Sequence, residues 1–407
     1  MLISRCVICL LPLVAALASH AGTPAPLPPF TPWDMKALAR VPSPEWVDKA
    51  GSVRALLYEG EPYKGRKTKV FAYYASPHTL GIERDPAKKF PGIVLVHGAD
   101  GQAFGQWVQA YARRGYAAIA MDLAGNWQPT PQGAPVRHPD GGPPQDDATK
   151  FRMPDVPDGD QWMYHAVADV VLANSLMHTI PEVDASRIGI TGIGWGGTLT
   201  CIAAGLDPRF KAALPMFGCG FLEQNSFWTA TQFKAMSPEW RKKWTQLWDP
   251  ASYIGSAQMP VFFVTGTNDP FYPLDSLAKT CALVQSPKNM CALPQLKHGN
   301  IFDSPLSFGY FGAMLMGGPP LPRVASMKAV GDKFTAEVQS PGALKSAMLH
   351  YTSGAHTDNK TRTWMTHPLS IDGQILRGTS APSFATAWFV LVEDDNNVVV
   401  SSEVVTQ

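Results

Sequence analysis

The sequence predicts an α/β protein: a mostly parallel sheet with helices on both faces and a helical cap insertion, followed by a small C-terminal β-sandwich. Three observations carry this. Continuous apolar runs at 91–96, 115–121, 211–217 and 260–265 alternate with helical segments, as strands buried on both faces do in βαβ units. A tryptophan-bearing insertion with a helical core interrupts the alternation at about 221–257. Past about residue 319, helical periodicity gives way to five or more short β-like runs in under ninety residues, an immunoglobulin- or fibronectin-like texture.

In chain order, residues 1–21 carry one positive charge at Arg5, an apolar core and a small-residue end, Ser19-His20-Ala21, the pattern of a secretory signal peptide. A secreted or periplasmic protein is therefore expected, released and not lipid-anchored. Removing 21 of the 407 residues leaves 386 and takes away one basic residue, so 33 basic groups balance 33 acidic ones. A neutral chain offers no electrostatic footprint for nucleic acid or acidic membranes. Cys201, Cys219, Cys281 and Cys291 remain. Their even number permits disulfides in an exported chain, with Cys201–Cys219 and Cys281–Cys291 the nearest pairings; four buried free thiols are the alternative. Among these four, no Cys-x-x-Cys or Cys/His cluster suggests a metal, and no cofactor is implied.

Residues 22–50 are proline-rich with isolated anchors Phe30, Trp33 and Trp46, and read as an extended arm laid over the body. Runs at 53–58 and 69–74 read as two strands forming an antiparallel edge. The strand at 91–96 ends in His97-Gly98-Ala99-Asp100-Gly101, and the strand at 115–121 closes with Asp122. The loop 123–160, dense in Pro, Gly and Asp, reads as a pocket rim, since loops this long are usually functional or disordered. Its carboxylates lack the calcium-loop spacing, and a plain solvated loop is the simpler account. A helix over 162–177 leads into the next strand. In the insertion, Trp240, Trp244 and Trp248 recur every four residues and so share one helical face. They either pack the cap on the body or form a stacking wall for a sugar or aromatic ligand.

The functional signal is Arg187-Ile188-Gly189-Ile190-Thr191-Gly192-Ile193-Gly194-Trp195-Gly196-Gly197-Thr198. A short β-branched run enters a glycine-dense turn and an alanine-rich helix leaves it, the layout of a G-x-S-x-G nucleophile elbow. Its central position is Gly194, which has no side chain. Asp269, at the end of a late buried strand, and His298, in a turn after the last strand, follow in the chain order nucleophile, acid, base. The chemistry needs a histidine that can accept a proton, held in one tautomer by a carboxylate. The oxyanion hole is expected from the amide of Trp195 and that of Ala99 or Asp100. His97 reads as a residue that shapes this loop. Asp122 reads as a strand-end residue or a substrate contact, and Trp228 and Trp244 are the aromatic candidates for substrate binding.

Gly-Ile-x-Trp-Gly-Gly, the His-Gly loop, Gly-Thr-Asn-Asp and the late histidine resemble the exported acetylxylan-esterase and dienelactone-hydrolase-like members of the α/β-hydrolase superfamily, which also approach the prolyl-oligopeptidase catalytic domain. The resemblance covers roughly residues 54–318, and the C-terminal tail is similar to accessory domains on some bacterial members. It implies the α/β-hydrolase fold, a carboxylic-ester substrate of small-molecule or carbohydrate type, a serine nucleophile that cannot be carried onto Gly194, and an acid and base carried onto Asp269 and His298. A glycine there leaves three accounts: a pseudo-esterase that binds without turnover, a chain whose serine has been replaced, or attack by a water that His298 activates. A secreted carbohydrate- or ligand-binding module is the competing class, and oligomeric state is not legible.

Overall fold

The computed structural model describes residues 22–99, 101–128 and 133–406, so the signal-peptide reading and Asp100 lie outside the described residues. The apolar runs form strands. We number them β1 (Pro44–Asp48), β2 (Arg54–Glu59), β3 (Lys69–Ala75), β4 (Phe90–Val96), β5 (Ala117–Met121), β6 (Val183–Ile193), β7 (Ala212–Met216), β8 (Val261–Gly266) and β9 (Lys288–Leu293). The strands β5, β4, β6, β7, β8 and β9 lie side by side in that order and run parallel, while β3, β2 and β1 continue the sheet antiparallel at one edge.

Every residue of β4 is buried. Because side chains alternate across a strand, Val94 and Val96 enter one core while Ile93 and Leu95 enter the other. The α-helices of five or more residues are α1 (Gly105–Arg113), α2 (Asp147–Phe151), α3 (Trp162–Met177), α4 (Trp195–Leu206), α5 (Pro238–Trp248), α6 (Leu274–Leu283) and α7 (Pro305–Met316). Helices α3 and α4 cover the first face of the sheet, and α1 and α7 cover the second. Helix α5 belongs to the cap. No helix among the described residues is long and apolar enough to cross a membrane.

The N-terminal arm is more integrated than its prolines suggest. Pro44 stands at the first position of edge strand β1, where a missing N–H does no harm, and β1 pairs with β2. Trp33 is buried against Tyr164, Trp248 and Tyr253, with ring centroids 5.5–6.2 Å away, and its Nε1 donates to the Tyr164 carbonyl at 2.9 Å. Three carboxylates of the long loop hold it together and tie it to the body. Asp146 caps α2, Asp158 pairs with Lys243 of α5, and Asp160 accepts from the Lys64 amide. Cys201, Cys219, Cys281 and Cys291 are all free and buried, and burial raises each thiol pKa.

The C-terminal region contains two antiparallel sheets. One is formed by β10 (Arg323–Val330), β11 (Lys333–Gln339), β14 (Ser370–Asp372) and β15 (Ile375–Thr379). The other contains β12 (Leu344–Thr352), β13 (Met365–Pro368), β16 (Ala387–Asp394), β17 (Val399–Ser401) and β18 (Val405–Thr406). The turn 394–397 joins β16 to β17 as a hairpin, with Asn397 at φ 60. This second sheet is continuous with the central one: Ser401 of β17 pairs antiparallel with Met290 of β9, which makes a single sheet of 14 strands. The edge strand β9 would otherwise present an open row of peptide groups.

Replacing Trp33 by Ala removes a buried indole and its hydrogen bond, and is expected to cost about 3–5 kcal/mol of stability. Urea unfolding of the full chain measures it; an unchanged midpoint would show the arm to be merely draped on the surface.

Candidate functional site

The elbow forms where β6 meets α4. Gly194 lies between them at φ 60 and ψ −118, a positive-φ conformation that costs a residue with a Cβ of order 1–3 kcal/mol. Its N–H donates to the Met216 carbonyl at 2.9 Å, and its carbonyl accepts from the Thr198 amide at 3.0 Å, which starts the helix. Gly196 is required for a different reason: a Cβ there would stand 1.9 Å from the Val96 carbonyl oxygen, so only glycine lets α4 sit directly on β4. A Cβ built on Gly194 would point at the late histidine, 3.0 Å from His298 Nε2 and 3.4 Å from its Cε1.

Asp269 and His298 are brought together as the chain order requires. Strands β8 and β9 are parallel neighbours whose C-terminal ends lie in register, Gly266 opposite Leu293. The loops carrying the acid and the base therefore emerge side by side. Asp269 is buried, and its Oδ1 accepts from the amides of Phe271 and Tyr272 at 2.8 Å each. Its Oδ2 lies 2.7 Å from His298 Nδ1. A carboxylate only accepts, so Nδ1 carries the proton and Nε2 presents a lone pair toward Gly194. The imidazole is walled by Phe217 at 4.8 Å, Phe271 at 4.9 Å and a stacked Tyr272 at 6.0 Å. Phe217 itself is held at φ 51, a costly conformation for a bulky residue.

Of the expected oxyanion donors, Trp195 and Ala99 are among the described residues. Trp195 supplies the first amide of α4, one of the N–H groups that no helical carbonyl can reach. The loop after β4 runs beside it: a Cβ on Gly98 would be 4.0 Å from Trp195 N, and the next residue, Ala99, is exposed. His97 shapes this loop, accepting from the Leu123 amide at Nε2 and, with the proton thereby left on Nδ1, donating to the Gly98 carbonyl; both distances are 2.8 Å. Asp122 is buried. Its Oδ1 is occupied by the amides of Ala124 and Asn126 at 2.9 and 2.8 Å, and burial raises its pKa to about 7 although those two bonds favour the charged form.

The tryptophans divide. Trp244 is fully buried and stacked on Phe151 at 5.3 Å, and its Nε1 donates to the Lys150 carbonyl, as that of Trp240 does to Phe151; both distances are 2.7 Å. The substrate role expected of Trp244 is thus corrected: its indole closes the last turn of α2 and packs the cap. Trp228 is also buried, but it packs 5.1 Å from Trp195 and against Phe271 and Tyr272, so it backs the aromatic wall of the site. Lys150, which sequence reasoning passed over, is buried with its ammonium 5.1 Å from the Trp195 ring, and burial lowers its pKa. Phe217, Phe271 and Tyr272 were also passed over, although each lies within three residues of a strand end or of the acid. Asn359 of the C-terminal region was missed as well: its Nδ2 donates to the Asp269 carbonyl at 2.6 Å.

Residues 78–302 match the model of the dienelactone hydrolase family. Among solved structures, the chain is similar to an acetyl xylan esterase from Paenibacillus sp. R4, with 20% identity over 69% of this chain and 92% of that one and a TM-score of 0.53. It is also similar to acetyl xylan esterase 1 from Thermoanaerobacterium sp. JW/SL YS485, with 19% identity over 73% of this chain and 95% of that one and a TM-score of 0.52. At these identities the likeness is one of fold.

The buried Asp122 makes stability depend on pH. A carboxyl whose folded pKa is raised to about 7 favours folding fully below its unfolded value near 4, and that contribution is lost as pH rises through 7. Asp122→Asn keeps the accepting Oδ1 and removes the titration. The fall in unfolding free energy between pH 4 and pH 8 should shrink by up to about 4 kcal/mol in urea titrations; an unchanged slope would mean that Asp122 is ionised throughout.

Proposed function

Since the chain belongs to the dienelactone hydrolase family, we propose that its site receives a carboxylic ester, of a small molecule or an acetylated carbohydrate, and that turnover is restricted to slow attack by water. The observation that carries this is the aim of a missing side chain: a Cβ on Gly194 would contact His298 Nε2 at 3.0 Å, while His298 keeps its 2.7 Å bond to Asp269. The acid–base pair and the elbow amides are retained; the hydroxyl that would form an acyl-enzyme is not.

In this reading Nε2 of His298 takes a proton from water as the water oxygen adds to the ester carbonyl. The amides of Trp195 and the 98–99 loop hold the resulting oxyanion. Collapse expels the alcohol oxygen, which takes the proton back from the imidazolium and leaves acid and alcohol. Losing the nucleophile from such a constellation costs about a million-fold in turnover, while binding and oxyanion contacts still supply about a thousand-fold over water. Export is part of the proposal, supported by the leader-like pattern of residues 1–21. The secreted chain should begin at Gly22 by intact mass; retention of residues 1–21 in a secreted product would refute cleavage at that point.

The chain should not be labelled by a fluorophosphonate probe, and covalent labelling would refute an empty elbow. Gly194→Ser needs the imidazole to withdraw by a few tenths of an ångström, since 3.0 Å is tight for a carbon contact. It should destabilise the fold by about 1–3 kcal/mol through backbone strain. The same variant should raise hydrolysis of a small acetyl or butyryl ester by at least about a hundred-fold. A folded but silent Gly194→Ser chain that still binds acetylated sugars would favour a ligand-binding module, and activity confined to proline peptides would favour the peptidase lineage.

A further inference from the structure

The C-terminal sandwich reaches the candidate site through the turn His356–Thr361 and the residue after it. Asn268, immediately before the acid, donates its Nδ2 to the main-chain carbonyls of Asn359, Lys360 and Arg362 at 3.2, 3.4 and 2.7 Å. Asn359 returns the contact, its Nδ2 donating to the Asp269 carbonyl at 2.6 Å from a position only 7% exposed. Two asparagines far apart in the chain thus exchange side-chain amides for main-chain carbonyls of each other's loop. With Phe271, Tyr272 and His298 on its carboxylate, Asp269 has all three of its oxygens engaged.

The same sandwich also holds the strand that delivers the base. Ser401 pairs with Met290 of β9, and its Oγ accepts from the Ala292 amide at 3.0 Å, six residues before His298. An appended module could be tethered anywhere on the body. This one is bonded to the loop of the acid and to the strand of the base, and its side chains join the cores on both faces of the sheet.

We infer that Asn359 is a positioning residue: by fixing the Asp269 main chain, the C-terminal sandwich sets the orientation of the Asp269–His298 pair and the aim of His298 Nε2. This rests on Asp269 and His298 being the acid and base. A hydrogen bond shielded from water is lost entirely when its donor is removed, and small displacements of an orienting group are expensive in rate.

The test uses the full-length chain with 15N-labelled histidine. The proton on His298 Nδ1 is observed by NMR and assigned by its disappearance in His298→Gln. Asn359→Ala should speed exchange of that proton with water about tenfold, and Asn359→Gln, which keeps an amide donor, should restore part of the protection. In a Gly194→Ser background, Asn359→Ala should lower kcat about 10- to 100-fold with KM little changed. The exposed sandwich variant Ser370→Ala should alter neither readout. An unchanged His298 signal in folded Asn359→Ala overturns the inference, even if stability falls. Where that variant does not fold, Asn268→Ser takes its place, and an unchanged His298 signal there overturns the inference equally. An altered His298 signal beside an inactive Gly194→Ser chain supports the positioning role and counts against the ester-hydrolase reading alone.

Discussion

The site depends on how closely α4 approaches the sheet. With no Cβ at Gly196, the first turn of the helix can rest against the Val96 carbonyl, and the ends of β4 and β6 are brought level, Val96 opposite Gly192. That contact puts the first amides of α4 beside the His97-Gly98 loop and fixes where position 194 points. The acid and base then need only the parallel register of β8 and β9 to arrive opposite it. Gly194, Asp269 and His298 lie one, three and five residues beyond the ends of β6, β8 and β9, so the sheet sets where their loops begin.

Gly194 alters two quantities together. The elbow backbone, at φ 60 and ψ −118, is strained for any residue with a Cβ, and glycine adopts it without that strain. Compared with a serine at that position, glycine therefore lacks both a hydroxyl and a source of backbone strain. The rest of the machinery keeps its cost. Asp269 is buried, and its charge is compensated by two amides and an imidazole that must all stay in place.

The sharp turn at Gly194 and the residues Asp269 and His298 that meet near it were legible in the sequence because each is a local pattern: glycines around a turn, and a polar residue at or after the end of an apolar run. The strands of the central sheet were legible because burial on both faces demands unbroken apolar runs. What escaped depends on partners distant in the chain. The four-residue spacing of Trp240, Trp244 and Trp248 gives a shared helical face but not what it meets, and the carbonyls of α2 take two of those indoles away from any ligand. Prolines hid β1, since a single edge strand tolerates one at its start. Nothing near Asn359 marks it as a neighbour of Asp269, and nothing in Val399-Val400-Ser401 marks it as the continuation of β9. The change of texture at about residue 319 suggested a separable module for the same reason.

The continuity of that sheet has a consequence for how the molecule is made. The elbow and the Met216 carbonyl that supports it lie in the first 216 residues, whereas the strand that joins the sheet beside β9 is reached only at Ser401. Contacts of such long sequence separation close slowly, after the local elements have formed. On a chain emerging from its N terminus, the hydrolase-like body is thus assembled first, and its acid loop and last parallel strand are secured only once synthesis has passed the second sheet. Clipping of that region by a protease would then unfasten the loop of Asp269 and the strand that precedes His298 while leaving every residue of the elbow untouched.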